Sequence, residues 1–122
     1  MNESIRVLIA DDKLPVRQGL NALLAMMPQV EVIGQAANGQ EVVQLVNMLR
    51  PDVVLMDIQM PVMDGLEATR QIKSSWPETK VIALTMYSSY QSEAYAVGVD
   101  MFLRKGCPSK SLQDAILNDL AE

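Results

Sequence analysis

The sequence predicts a doubly wound α/β sandwich, a parallel five-stranded sheet in the order 2-1-3-4-5 with helices on both faces. Two observations carry this. Short apolar, β-branched runs recur at residues 5–10, 30–36, 53–57, 80–85 and 101–104, with starts 25, 23, 27 and 21 residues apart. That spacing is one strand plus one helix plus two short loops. The runs also show little polar alternation, the mark of strands buried on both faces, hence parallel and covered by helices. No linker, low-complexity tract or shift in composition interrupts the 122 residues, so residues 1–122 read as one domain.

The segments between the runs have helical spacing. Val16, Leu20, Leu23, Leu24 and Met27 follow i, i+4, i+7, i+8, i+11 and form one apolar stripe on a first helix. Val42, Leu45, Val46 and Leu49 repeat it on the second, and Leu112, Ala115, Ile116 and Leu120 on the last. Each stripe reads as core packing rather than a cofactor box. Pro28, Pro51 and Pro77 follow helical stretches, where proline cannot continue the helix. Gly98 is placed to end a short fourth helix in the left-handed conformation. Ser109 is placed to cap the fifth helix, which is expected to run to about residue 119.

Composition excludes whole classes of chemistry. With no histidine, the chain can hold neither a Ser-His-Asp nor a Cys-His catalytic set, and no histidine-ligated metal. Its single cysteine, Cys107, can form no internal disulfide. A net charge of −5, from 15 acidic and 10 basic side chains, argues against direct nucleic-acid binding by this chain. No signal segment and no run of 18 apolar residues occurs, so the expected location is cytoplasmic, away from the membrane.

In an open parallel sheet, ligands bind beyond the carboxyl ends of the strands, near the switch point. Those ends carry Asp11 and Asp12 after strand one, Asp57 after strand three, Thr85 after strand four and Lys105 after strand five. Strands one and three are neighbours in the expected order, so the three acids converge, with Thr85 and Lys105 closing the other side. Carboxylates about 5 Å apart repel by roughly 3 kcal/mol at an effective dielectric near 20. Three acids against Lys105 leave a local charge near −2, so the site must raise its pKa values or bind a cation. Hard oxygen ligands and few side chains suit Mg²⁺ sharing its shell with a phosphate. The constellation reads as metal-assisted phosphoryl transfer to a carboxylate nucleophile. An acid pair alone is more often a turn or helix cap, a lone Thr structural, a lone Lys a surface charge. What outweighs those readings is the coincidence of four strand ends on one edge.

The stretch Asp57-Ile58-Gln59-Met60-Pro61-Val62-Met63-Asp64-Gly65, with the acid pair, Leu84-Thr85 and Lys105, resembles the bacterial two-component response-regulator receiver domain over essentially the whole chain. The resemblance implies a (βα)5 flavodoxin-like fold and a phosphorylation-activated switch rather than a turnover enzyme. It implies that Asp57 accepts a phosphoryl group from the phosphohistidine of a sensor histidine kinase. Asp12 and Asp57 would ligate Mg²⁺ directly, with Asp11 acting largely through water and the Gln59 backbone carbonyl adding a ligand. Lys105 would pair with Asp57 at rest and with the phosphoryl group afterwards. Thr85 would donate its hydroxyl to a phosphoryl oxygen and draw its loop inward, and Phe102 would be the switch aromatic that follows. The missing histidine fits a division of labour in which the donor imidazole belongs to the partner.

Departures from the family pattern carry their own expectations. Arg104 precedes the lysine and, by strand alternation, shares a side with Phe102, away from Lys105. Gly106-Cys107-Pro108 replaces an immediate Lys-Pro, which together with Leu84-Thr85-Met86 resembles receivers that carry a helix-turn-helix output domain. DNA would then be met only through a domain outside this chain. A free-standing receiver acting by docking is the alternative. Homodimerisation on phosphorylation is expected, and the readout surface is either that around Tyr90, Tyr95, Phe102 and Arg104 or that of helices one and five. Neither Gln59 nor Tyr87, two residues past Asp57 and Thr85, is a carboxylate that could orient water, so the phosphorylated state should be long-lived. An aspartate-nucleophile phosphatase of the haloacid dehalogenase type is disfavoured because Gln59 stands where its general acid would be. Asp11-Asp12-Lys13 likewise offers no phosphate-cradling glycines of the flavodoxin kind.

Overall fold

The computed structural model describes residues 4–118, in which five parallel strands alternate with five helices. In chain order these are β1 (Ile5–Ala10), α1 (Leu14–Ala25), β2 (Val30–Ala36), α2 (Gly39–Leu49), β3 (Val53–Met56) and α3 (Gly65–Ser75). They continue with β4 (Lys80–Thr85), a 3₁₀ turn (Ser88–Tyr90), α4 (Gln91–Val97), β5 (Met101–Arg104) and α5 (Ser109–Leu117). The strand order is β2-β1-β3-β4-β5, as the sequence predicts.

The sheet separates two cores. Leu8, Val54, Met56 and Val81 face Val42 and Val46 of α2, Ala68 and Ile72 of α3, and Ala94 of α4. Val7, Ile9, Leu55 and Ile82 face Leu24 of α1 and Leu112, Ala115 and Ile116 of α5. Consecutive residues on each strand thus feed opposite layers, which is why the central strands have no polar face. Each fully buried Leu or Ile adds about 1.5–3 kcal/mol of hydrophobic stabilisation. Gly98 ends α4 at φ 109°, in the expected left-handed conformation.

Two local expectations need correction. β3 stops at Met56, so Asp57 lies one residue beyond the strand. Its amide still donates to the Ala10 carbonyl at 2.9 Å before the chain turns away. At α5 the cap position is taken by Pro108, with Ser109 the first helical residue and no side-chain cap. Proline's fixed φ, here −56° with ψ 146°, suits the half-in cap conformation, and its carbonyl accepts the Ser111 amide at 2.9 Å. Leu120 and the expected end of α5 near residue 119 lie outside the described residues. Among the described residues no helix is long and apolar enough to cross a membrane.

Candidate functional site

Strand register sets the site. Ala10 pairs with Met56, and Met56 with Ala83, so Asp11 and Asp57 emerge side by side at the carboxyl edge. Thr85 pairs with Arg104, and the Lys105 amide donates to the Thr85 carbonyl at 2.8 Å, which brings Lys105 to the same edge. Asp11, Asp12 and Asp57 each offer a carboxylate oxygen, and these oxygens all lie within 4.8 Å of one another. A cavity of about 340 Å³ opens beside them, lined by Asp57, Gln59, Thr85, Tyr87, Lys105 and Lys13 among others. The sequence-predicted site residues therefore come together, except Phe102, which lies away from the cavity.

The charge pattern differs from the simplest expectation in two ways. Lys105 Nζ sits 2.6 Å from Asp11 Oδ2 and 3.5 Å from Asp57 Oδ1, so the expected resting partner Asp57 is the more distant of the two. Lys13 is a second cation, with Nζ 3.3 Å from Asp12 Oδ1. Two lysines against three acids leave one net negative charge where a single lysine would leave two. Asp57 is only 5% exposed. Burial pushes its carboxyl above the usual range and the Asp11 charge pushes it further, while Lys105 and Lys13 pull it back. Hydrogen bonding to Asp12 raises the Lys13 ammonium. The site is thus preloaded with tension between carboxylates, and hard oxygen donors with one charge in excess fit Mg²⁺.

Two loops frame the cavity. On the Asp57 side, the Gly65 amide donates to the Ile58 carbonyl at 2.7 Å, and the Gly39 amide to the Met63 carbonyl at 2.8 Å. A Cβ on Gly65 would stand 2.0 Å from the Asp57 carbonyl oxygen, and one on Gly39 would stand 2.1 Å from that of Met63. Only glycine permits either approach. Val62, at the tip, is held at φ 69°, where a β-branched residue is strained. On the Thr85 side the chain is looser: the Tyr87 amide reaches the Thr85 hydroxyl at 3.4 Å, and the Tyr90 amide the Tyr87 carbonyl at 3.4 Å. A single side-chain bond spans the two loops, Gln59 Nε2 donating to the Tyr90 hydroxyl at 2.8 Å.

A family model described as the response regulator receiver domain matches residues 7–117. The chain belongs to that family. Response regulator protein VraR of Staphylococcus aureus is 38% identical over 115 residues, 93% of this chain and 55% of VraR. The chain thus spans about half the length of the curated relatives it matches. Among solved structures, a two-component response regulator of the LuxR family from Aurantimonas sp. SI85-9A1 superposes with a TM-score of 0.90. It is 30% identical, over 98% of this chain and 86% of that one. A DNA-binding response regulator of the LuxR family from Staphylococcus aureus gives 0.86 at 29% identity, over 92% and 95% of the two chains.

The rest of the receiver surface follows from strand alternation. Phe102 packs against the core on the α2–α3–α4 side, Leu103 against the opposite one. Arg104 is exposed, on the side of Phe102. Besides Lys13, three participants are missed by sequence reasoning. Asn38 and Asp64 cap α2 and α3, their side chains accepting the Glu41 and Glu67 amides at 2.8 and 2.9 Å. Both stand in an Asn/Asp-Gly-x-Glu pattern, a helix-start signature that a closer reading would find. Arg17 donates to the Asp11 carbonyl at 2.6 Å and steadies the acid pair from behind. Nothing in the sequence marks it beyond its helical position.

Proposed function

We propose that this receiver domain is a phosphorylation-driven switch whose acceptor is Asp57. The supporting observation is the meeting of three carboxylates within 4.8 Å, one of which, Asp57, lines a cavity together with Lys105 and Thr85. Asp12, Asp57 and the Gln59 carbonyl would hold Mg²⁺, with Asp11 behind them. Bound there, the cation neutralises the acids and the transferring phosphoryl oxygens. Asp57 attacks phosphorus, a P–O bond forms, and the P–N bond of a sensor kinase's phosphohistidine breaks. Lys105, released from Asp11, pairs with the new phosphoryl oxygens. The Thr85 hydroxyl donates to one of them and draws residues 86–89 inward. Phe102 then repacks and changes the surface with Tyr90, Tyr95 and Arg104, where a second copy docks.

This chain's work is acceptance of the group and slow release of it, not turnover, in the cytoplasm where such kinases act. Residues 1–122 form the single receiver unit of a longer transcription regulator that meets DNA through a separate domain. Two points support that reading: the chain covers about half of VraR, and a similar Staphylococcus aureus regulator is DNA-binding. Incubation with acetyl phosphate and Mg²⁺, followed by intact mass, tests the core of it. One phosphoryl adduct is expected, absent in Asp57→Asn. An adduct that survives in Asp57→Asn, or none in either protein, overturns the assignment. The adduct should decay over minutes or longer, because neither Gln59 nor Tyr87 can serve as a base for water. Decay within seconds contradicts that part.

A further inference from the structure

We propose that Lys13 is a built-in competitor for the cation site and sets how much Mg²⁺ the receiver requires. The inference rests on reading the acid cluster as a metal centre. Lys13 directly follows the acid pair, and its amide donates to Asp11 Oδ1 at 2.9 Å, a tight turn that sends its side chain back over the site. There its ammonium lies 3.3 Å from Asp12 Oδ1, and the residue lines the same cavity as Asp57 and Lys105.

The two lysines divide the acids between them. Lys105 and Asp11 form the buried pair, their side chains 13% and 2% exposed, at 2.6 Å. Asp12 and Asp57 are the acids left for an incoming cation, and Asp12, the more exposed of the two, is the one Lys13 covers. That outer pair is 61% and 31% exposed, so it opens and closes without disturbing the core. An ammonium and a divalent cation repel each other and need the same carboxylate, so one leaves as the other arrives. Lys13 then remains tethered at the cavity mouth, free to pair with an anionic group on Asp57. A purely structural role would reside in its backbone amide, which any substitution except proline retains.

Calorimetric titration of the full chain with Mg²⁺ at fixed ionic strength tests this. Lys13→Gln is expected to tighten Mg²⁺ binding by about two- to fivefold, the scale of an exposed ion pair. The gain should shrink as salt is added. Lys110→Gln removes the same charge from α5, where Lys110 is 82% exposed and paired with Asp114, and should leave the affinity unchanged. Saturation of acetyl phosphate labelling should shift to lower Mg²⁺ in Lys13→Gln by the same factor. Wild-type binding with no change in Lys13→Gln, or an equal gain in Lys110→Gln, overturns the role of Lys13 and leaves the metal centre standing. Absence of Mg²⁺ binding in both wild type and Lys13→Gln overturns both readings.

Discussion

At the amino ends of the strands Lys73, Lys80, Asp100 and Arg6 are tied into sets of partners, whereas at the carboxyl ends the charged groups are left in competition. At the amino end, Lys73 Nζ donates to the Pro77 and Thr79 carbonyls at 3.1 and 2.8 Å and to Asp100 Oδ2 at 2.7 Å. That same carboxylate oxygen accepts the Val81 amide at 2.8 Å. Lys80 reaches the Ala115 carbonyl at 2.8 Å, placing a cation at the negative end of α5. Arg6 donates to the Arg50 carbonyl at 2.8 Å, and the Arg50 guanidinium lies 5.1 Å from the Trp76 ring centroid. A cavity of about 430 Å³ opens there too, and Arg50, Asp52 and Lys80 on its wall already have partners. At the carboxyl end, Asp57 is buried beside Asp11 with Lys105 nearer the latter, and Val62 is strained. Similar residue types serve opposite ends: one edge consolidates the fold and the other holds unfavourable electrostatics.

The contrast can be broken most forcefully at Gly65. Gly65→Ala drives a Cβ into the Asp57 carbonyl and should destabilise the domain by about 4 kcal/mol or more, with loss of acetyl phosphate labelling. Gly98→Ala, at the other edge, meets the Lys73 stem, with Cγ at 3.2 Å and Cβ at 3.5 Å, and a left-handed backbone, a far milder approach than that at Gly65. It should lose about 1–2 kcal/mol in a denaturant titration and still be labelled. Labelling of Gly65→Ala at the wild-type rate would show that the acceptor loop tolerates displacement. Next in size is Lys73→Met, which strands Asp100 and two carbonyls and should cost about 2–4 kcal/mol whether or not Mg²⁺ is present. Lys105→Met also destabilises, but Mg²⁺ should restore much of that loss, because another cation can take over the acids. Equal responses to Mg²⁺ in the two variants would erase the distinction between the edges.

The smallest effect is a gain. The folded pKa of Asp57 lies above its unfolded value, so the folded state holds the proton more tightly. Stability therefore falls as pH rises from about 4 through the raised value, and at neutral pH the charged group opposes folding. Asp57→Asn should raise Tm by a few degrees at pH 7, with the advantage vanishing near pH 4. A lower Tm for Asp57→Asn at pH 7 would mean that Lys105 compensates Asp57 more fully than their 3.5 Å separation implies.

The positions of β1, β3 and β4 are legible in the sequence because burial on both faces leaves an apolar run, and the strand order follows from the five-fold alternation of strand and helix. The convergence of Asp11, Asp57, Thr85 and Lys105 is legible for the same reason, since register follows from strands of known start. Which acid Lys105 prefers is not legible: a difference of less than 1 Å between 2.6 and 3.5 Å depends on side-chain packing. The Gln59–Tyr90 bond joins residues 31 positions apart on irregular loops, where no periodicity fixes direction. Ser109 misleads because serine is a good cap, while Pro108 before it already has the backbone a cap needs. The acceptor motif's Gly65 is visible as a letter, but its reason, a carbonyl 2.0 Å from where a Cβ would be, exists only in three dimensions.

That contact also decides which side of the cavity can yield. With the Asp57 carbonyl pressed against Gly65 and both glycine amides bonded across the loop, this side behaves as a fixed jaw. The opposite jaw, from Met86 to Ser89, is exposed and held by bonds of 3.4 Å. In the proposed switch, a change at Asp57 would therefore act on the second jaw, and the Gln59–Tyr90 bond is the strut it would stretch or remake. The movable side of that proposed switch is therefore the one that faces α4 and β5, because the other does not give.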